Sequence, residues 1–157
     1  MKKRVLFVIP VIIFIVVVPY VVFPILNDTK ANNLKEEMLS QAMPEKTELV
    51  EIVAGCGNTS GTGDHTEVLV CLLVKSELSA EELYEFFSTD YKGPNPEKTN
   101  RHYVEVFAVT EGKTTTLAME TVGLKFERTA EGLNTDDLYI VLRTEDAVSS
   151  VFDLRGK

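Results

Sequence analysis

The chain has few of the residues from which catalysis is usually read. It contains two cysteines, Cys56 and Cys71, and two histidines, His65 and His102, in 157 residues. No CxxC, HExxH or EF-hand pattern occurs, so no metal site is predicted. The phosphate-binding GxxxxGK[ST] motif is absent, and no Lys or Arg falls between Val53 and Val74. No repeat, coiled-coil heptad or low-complexity segment is found, and no cofactor is expected.

One absence is itself a signal. From Val5 to Leu26 there are 22 positions without a charge, an amide or a small residue, straight after Lys2-Lys3-Arg4. At about 1.5 Å per residue such a helix reaches roughly 33 Å, enough to cross a bilayer core. Lipid offers no backbone partners, so a single span must be helical. Thirteen of the 22 residues are Val or Ile, mediocre helix formers in water whose hydrophobicity prevails in a membrane. Pro10 and Pro19 are predicted to kink the helix, and Pro24 falls near its outer end. The three leading cations place the N-terminus in the cytoplasm and the bulk of the chain outside. A cleaved signal peptide needs an apolar core of about 7–15 residues and a small-x-small site. Here the core is longer and the first alanine is Ala31. The prediction is an uncleaved signal anchor in the cell membrane, with residues 1–4 cytoplasmic and 5–26 spanning. Residues 27–45 form a juxtamembrane helix or stalk, and 46–157 an extracytoplasmic domain. The span has no GxxxG motif to specify helix pairing.

Residues 27–157 hold all 24 acidic residues and 13 of the 16 cations, a formal charge of −11. So acidic a domain is a poor nucleic-acid binder. Solubility is the plain reading of this charge, and attraction of basic partners is the functional one. Its size suits one domain with a real core.

The apolar pattern predicts a helix over 28–43 with Ala31, Leu34, Met38 and Ala42 on one face, either continuing the span or packing on the domain. Pro44 ends it. Residues 47–54 and 66–75 read as strands. Val68 to Val74 is apolar at every position, as in a strand buried on both faces. Ser79-Ala80-Glu81-Glu82 is a capping box, opening a helix that runs to about Thr89 with Leu83, Phe86 and Phe87 inward. Loops are predicted at 92–96 and 130–137 and a hairpin turn at 111–112. Strands are predicted over 102–109, 115–128, with Gly123 as a bulge, and 138–144. The expected fold is α+β: one two-layer domain, an antiparallel sheet of about five strands with one or two helices on it.

The loop from Gly55 to Glu67 is the unusual stretch. It carries Cys56, Asn58, Thr59, Ser60, Thr62, Asp64, His65, Thr66 and Glu67. Glycines and hydroxyls let such a loop turn and satisfy its own amides. The same groups suit a neutral ligand or a protein partner, with Cys56, Asn58, Thr59, Ser60, Asp64 and His65 as the contact surface. A thiolate at Cys56 with His65 as base is the catalytic reading. Asp64, His65 and Glu67 offer metal donors, but neighbouring residues of a strand point to opposite faces. Cys56 and Cys71 either form a disulfide closing a 16-residue segment or stand as free thiols, and spacing does not choose between these. Asn27-Asp28-Thr29 and Asn58-Thr59-Ser60 have the form of glycosylation acceptors. The leading expectation is a non-enzymatic module tethered to the bilayer through residues 5–26 and binding a protein partner at the cell surface. A thiol enzyme or redox protein using Cys56, and a structural subunit of a membrane complex, are the alternatives.

Overall fold

A computed structural model describes residues 2–61, 65–89, 103–109, 113–127 and 135–156, the side chains of 2–10, 89 and 156 aside. The first element, α1, is a single helix from Lys2 to Ser40, continuous through Pro10, Pro19 and Pro24. Its described stretch from Val11 is long and apolar enough to cross a membrane. The outer part of the same helix lies on the domain, where Ala31, Leu34 and Met38 are buried. The apolar stretch and the helix after it are therefore one element, whose outer part packs on the sheet.

Four strands follow: β1 (Thr47–Gly57), β2 (Glu67–Ser76), β3 (Tyr103–Ala108) and β4 (Leu138–Asp146). They form one antiparallel sheet in the order β1-β2-β4-β3. Between β2 and β3 lies α2 (Ala80–Thr89), and between β3 and β4 lies α3 (Leu117–Val122). The capping box at α2 is formed: the Ser79 amide donates to Glu82 Oε2 at 2.8 Å, and the Glu82 amide to Ser79 Oγ at 3.2 Å.

The architecture is α+β, with four strands among the described residues where about five are expected. The expected strand over 115–128 is instead α3 and its trailing segment. Thr116 caps the helix, accepting from the Met119 amide. Gly123 ends it in the left-handed conformation, φ 75°, donating to the carbonyls of Glu120 and Met119. Gly123 is thus a C-cap rather than a bulge. The predicted loop at 92–96, the turn at 111–112 and most of the loop at 130–137 fall outside the described residues; 135–137 is a 3₁₀ turn.

Alternating residues of β2 supply two cores. Val68, Val70, Leu72 and Val74 face α1 and α2, joined by Leu34, Met38, Leu83 and Phe87. Leu69, Cys71 and Leu73 face the other way, joined by Met119, Phe126, Ile140 and Leu142. This explains the unbroken apolar run of β2, a central strand buried on both sides. The register runs β1 toward the apolar part of α1, so Gly57 and Glu67 lie near that part while Thr47 and Ser76 lie far from it.

Candidate functional site

The predicted contact loop is shorter than expected, because Gly55, Cys56 and Gly57 belong to β1. These two glycines serve close approach. A Cβ on Gly55 would come within 3.1 Å of Leu124, and one on Gly57 within 3.3 Å of Val122. Beyond them, Asn58 Oδ1 accepts from Ser60 Oγ at 3.0 Å, and Thr59 Oγ1 donates to Glu67. The Thr59 carbonyl accepts from Thr121 Oγ1 at 3.3 Å, which ties the loop to α3. Asp64 lies outside the described residues.

The two thiols are not paired. Both are free and buried, and they belong to the cores on opposite faces of the sheet. Cys56 donates to the Asn27 carbonyl at 3.1 Å. Burial pushes its thiol up to about 12, the nearby Arg155 charge only partly opposing this. Burial raises Cys71 further still. Neither is poised as a thiolate near neutral pH.

His65 faces a different set of groups. Its Nε2 lies 3.1 Å from Asp146 Oδ1, and its Nδ1 lies 3.5 Å from Ser150 Oγ. The structure thus brings His65 to Asp146 and not to Cys56. One ligand atom each from His65, Glu67 and Asp146 fall within 4.8 Å of one another. An imidazole and two carboxylates are a reasonable donor set for a divalent cation. Each is already engaged, His65 with Asp146 and Glu67 with Thr59, so a cation would have to displace those bonds. The pattern of the loop alone pointed to Asp64. Asp146 enters because it sits directly opposite Glu67 in the β2–β4 register.

A mainly apolar hollow lies beside this loop, on the sheet face away from α1. It is a groove of about 390 Å³ floored by Phe107, Ile140 and Leu142 and walled by Leu117 and Ala118, with Thr59 at its edge. A second hollow of about 290 Å³ shares Thr59, Ala118 and Leu142 and extends the groove to Tyr103 and Thr144. Glu105 and Lys113 stand at the rim. Among the described lining residues there is no Cys or His. Thr144 Oγ1 is buried at the end of the groove nearer Glu67 and has no hydrogen-bond partner among the described residues. An unpartnered buried hydroxyl is costly in a folded protein and rare without a reason. Of the predicted contact residues that are described, only Thr59 and Ser60 line this groove. Its floor comes from β3 and β4, which the glycine-rich pattern could not indicate.

The chain matches no protein-family model, no curated protein and no solved structure among those compared.

Proposed function

We propose that the protein is a single-pass, membrane-anchored binding module, with its N-terminus in the cytoplasm and its domain outside. The groove between α3 and the β3–β4 pair holds an extended, largely apolar and neutral segment of a neighbouring membrane protein. The observation that carries this reading is the groove itself: an apolar floor, hydroxyls along its edge and one buried hydroxyl, Thr144 Oγ1, awaiting a partner. Apolar concavities with a few placed polar groups are the usual form of a binding site. The groove runs along the strands toward the membrane-proximal end, within reach of a partner in the same bilayer. Lys2-Lys3-Arg4 before the span supports the orientation. The thiol-enzyme alternative is disfavoured, since Cys56 is buried beneath α1 and its thiol is held protonated.

The test is a photo-crosslinking side chain at Phe107, on the floor, in the full-length protein in its native membrane. The control carries it at Tyr84 on α2. A discrete adduct from position 107, missing from position 84 and abolished by Ala118→Trp, which fills the groove, is the expected result. Equal labelling from both positions, or none from position 107, would refute the proposal.

A further inference from the structure

We infer that the C-terminal loop over 147–156 is immersed in the domain-side leaflet of the bilayer that α1 enters, so that the domain rests in the membrane surface instead of standing above it. This inference depends on α1 being a membrane anchor. It comes from where the domain first touches the helix. Phe152 stacks on Phe23, ring centroids 5.3 Å apart, and meets Tyr20 edge-on at 5.5 Å. Arg155 Nη2 donates to the Pro24 carbonyl at 3.1 Å. The loop therefore wraps the last two turns of the apolar run, not the polar helix that follows it.

Length then decides the depth. Below Tyr20 the apolar run holds the 15 residues Val5–Pro19. As helix these measure about 22 Å, against a hydrocarbon core of about 30 Å. Were the loop kept wholly in water, the span would be short by about 8 Å, a mismatch that bilayers resist. The missing length lies at the level of Tyr20 to Pro24, where the loop packs.

The loop's surface suits that depth. Val148, Val151 and Leu154 are 53%, 66% and 60% exposed, and they flank the half-buried Phe152. Single exposed apolar residues need no explanation. Three in seven positions, on a loop that packs against the apolar run whose Val21 and Ile25 are also exposed, give this end of the domain an apolar surface. The segment holds one acid and one base, and both are engaged. Asp153 is fully buried, accepting from Asn27 Nδ2 at 2.8 Å and from Arg155 Nη2 at 2.7 Å. Arg155 Nη1 also donates to Asp28 at 2.5 Å. Charges at membrane depth are tolerated when paired in this way. The rest of the domain is strongly acidic, so this segment, whose one acid and one base are paired, is its natural contact with lipid.

The chain contains no tryptophan, so a single introduced indole reports depth without background. The full-length protein is reconstituted in phosphatidylcholine vesicles as three variants: Val151→Trp in the loop, Phe14→Trp in the span and Tyr84→Trp on α2, exposed and away from the apolar run. Emission is measured with and without lipids brominated at shallow or deep acyl positions. Val151→Trp should emit to the blue of Tyr84→Trp and lose most of its intensity to shallow bromines. Phe14→Trp should be quenched by deep ones, and Tyr84→Trp by neither. If Phe14→Trp is quenched while Val151→Trp behaves like Tyr84→Trp, the inference is overturned and the anchor stands. If Phe14→Trp is unquenched, the anchor reading fails and this inference with it. Leu154→Trp repeats the loop measurement should Val151→Trp not fold.

Discussion

At the scale of single residues, Asn27 joins the two halves of the protein. Although it opens an N-x-T triplet, it is fully buried. Its amide donates to Asp153 Oδ2, its Oδ1 accepts from the Val148 amide at 2.8 Å, and its carbonyl accepts from the Cys56 thiol. Asn27→Ala leaves the Val148 amide without its acceptor and removes one of the two hydrogen bonds to Asp153 Oδ2, which keeps that from Arg155. At about 1–3 kcal/mol for a stranded buried group, we expect a loss of about 2–4 kcal/mol in urea unfolding in detergent micelles. Charge works in the same cluster. Arg155 bonding, helped by Asn27, holds the Asp153 carboxyl well below the ordinary carboxylate range. The unfolded chain therefore takes up protons that the native state refuses, and stability falls as the pH drops below 3.8, the ordinary value for this group. The buried thiols act in the opposite sense. They stay protonated in the native state, so their contribution is complete below 9.0 and declines as the pH rises from there toward about 12. An unfolding midpoint followed against pH should fall on both sides of a neutral plateau, and Asn27→Ala should move the acid limb to higher pH. The thiols offer a direct check. Intact mass after alkylation at pH 8 should show neither Cys56 nor Cys71 modified in the folded protein. Both should react on denaturation without any reductant; a requirement for reductant would mean they are paired after all.

Among the elements, α3 departs furthest from expectation and forms a wall of the groove. The segment around it is rich in residues that favour strands, from Thr114 to Thr116 and again at Val122 and Phe126. Six residues are too few for a helical period to show. Its ends decide it: a Thr116 side chain that caps the first turn and a Gly123 that takes a conformation other residues resist. Gly123→Ala should cost about 1–2 kcal/mol, since the left-handed backbone brings Cβ against the next carbonyl. Space is not the obstacle, as nothing lies within 4 Å of a Cβ there. Thr116→Ala should cost about 1 kcal/mol through the lost cap. Both are read as shifts in unfolding midpoint, and equal stability for the two variants and the parent would mean that α3 does not depend on its caps. The contrast with α2 shows what was legible. Its start rests on a local signal, Ser79 and Glu82 three residues apart, and both bonds form. Strands β1 and β2 were likewise written in local pattern. The candidate site was barely legible, because its parts meet through strand register. Glu67 reaches Asp146, and Tyr103 reaches Thr144, across strands distant in the chain. Local pattern carries no record of which strand lies beside which.

In the molecule as a whole, α1 serves as both the candidate anchor and one layer of the fold. The apolar face of Ala31, Leu34 and Met38 was visible as a helical stripe, but a stripe does not name the surface it covers. The structure gives it one face of β1 and β2. Polar contacts hold it there. Lys30 Nζ lies 3.2 Å from Glu145, and the buried Arg143 side chain reaches Glu37 at 3.2 Å and Glu145 at 2.9 Å. The domain is therefore incomplete without the helix that follows the span, and its boundary should be tested there. Fragments 27–157 and 44–157 differ by the residues that carry this stripe. Truncating a buried Leu or Met to Ala costs about 2–5 kcal/mol each, and a domain has only about 5–15 kcal/mol in all. Losing Leu34, Met38 and the Asn27 cluster together should consume most of that margin. We expect 27–157 to unfold cooperatively in urea, with slow amide exchange along β2. Fragment 44–157 should show neither, and should bind a hydrophobic dye through its uncovered sheet face. Equal midpoints for the two fragments would show that α1 rests on a sheet already stable without it. In that case α1 would be no structural layer of the domain.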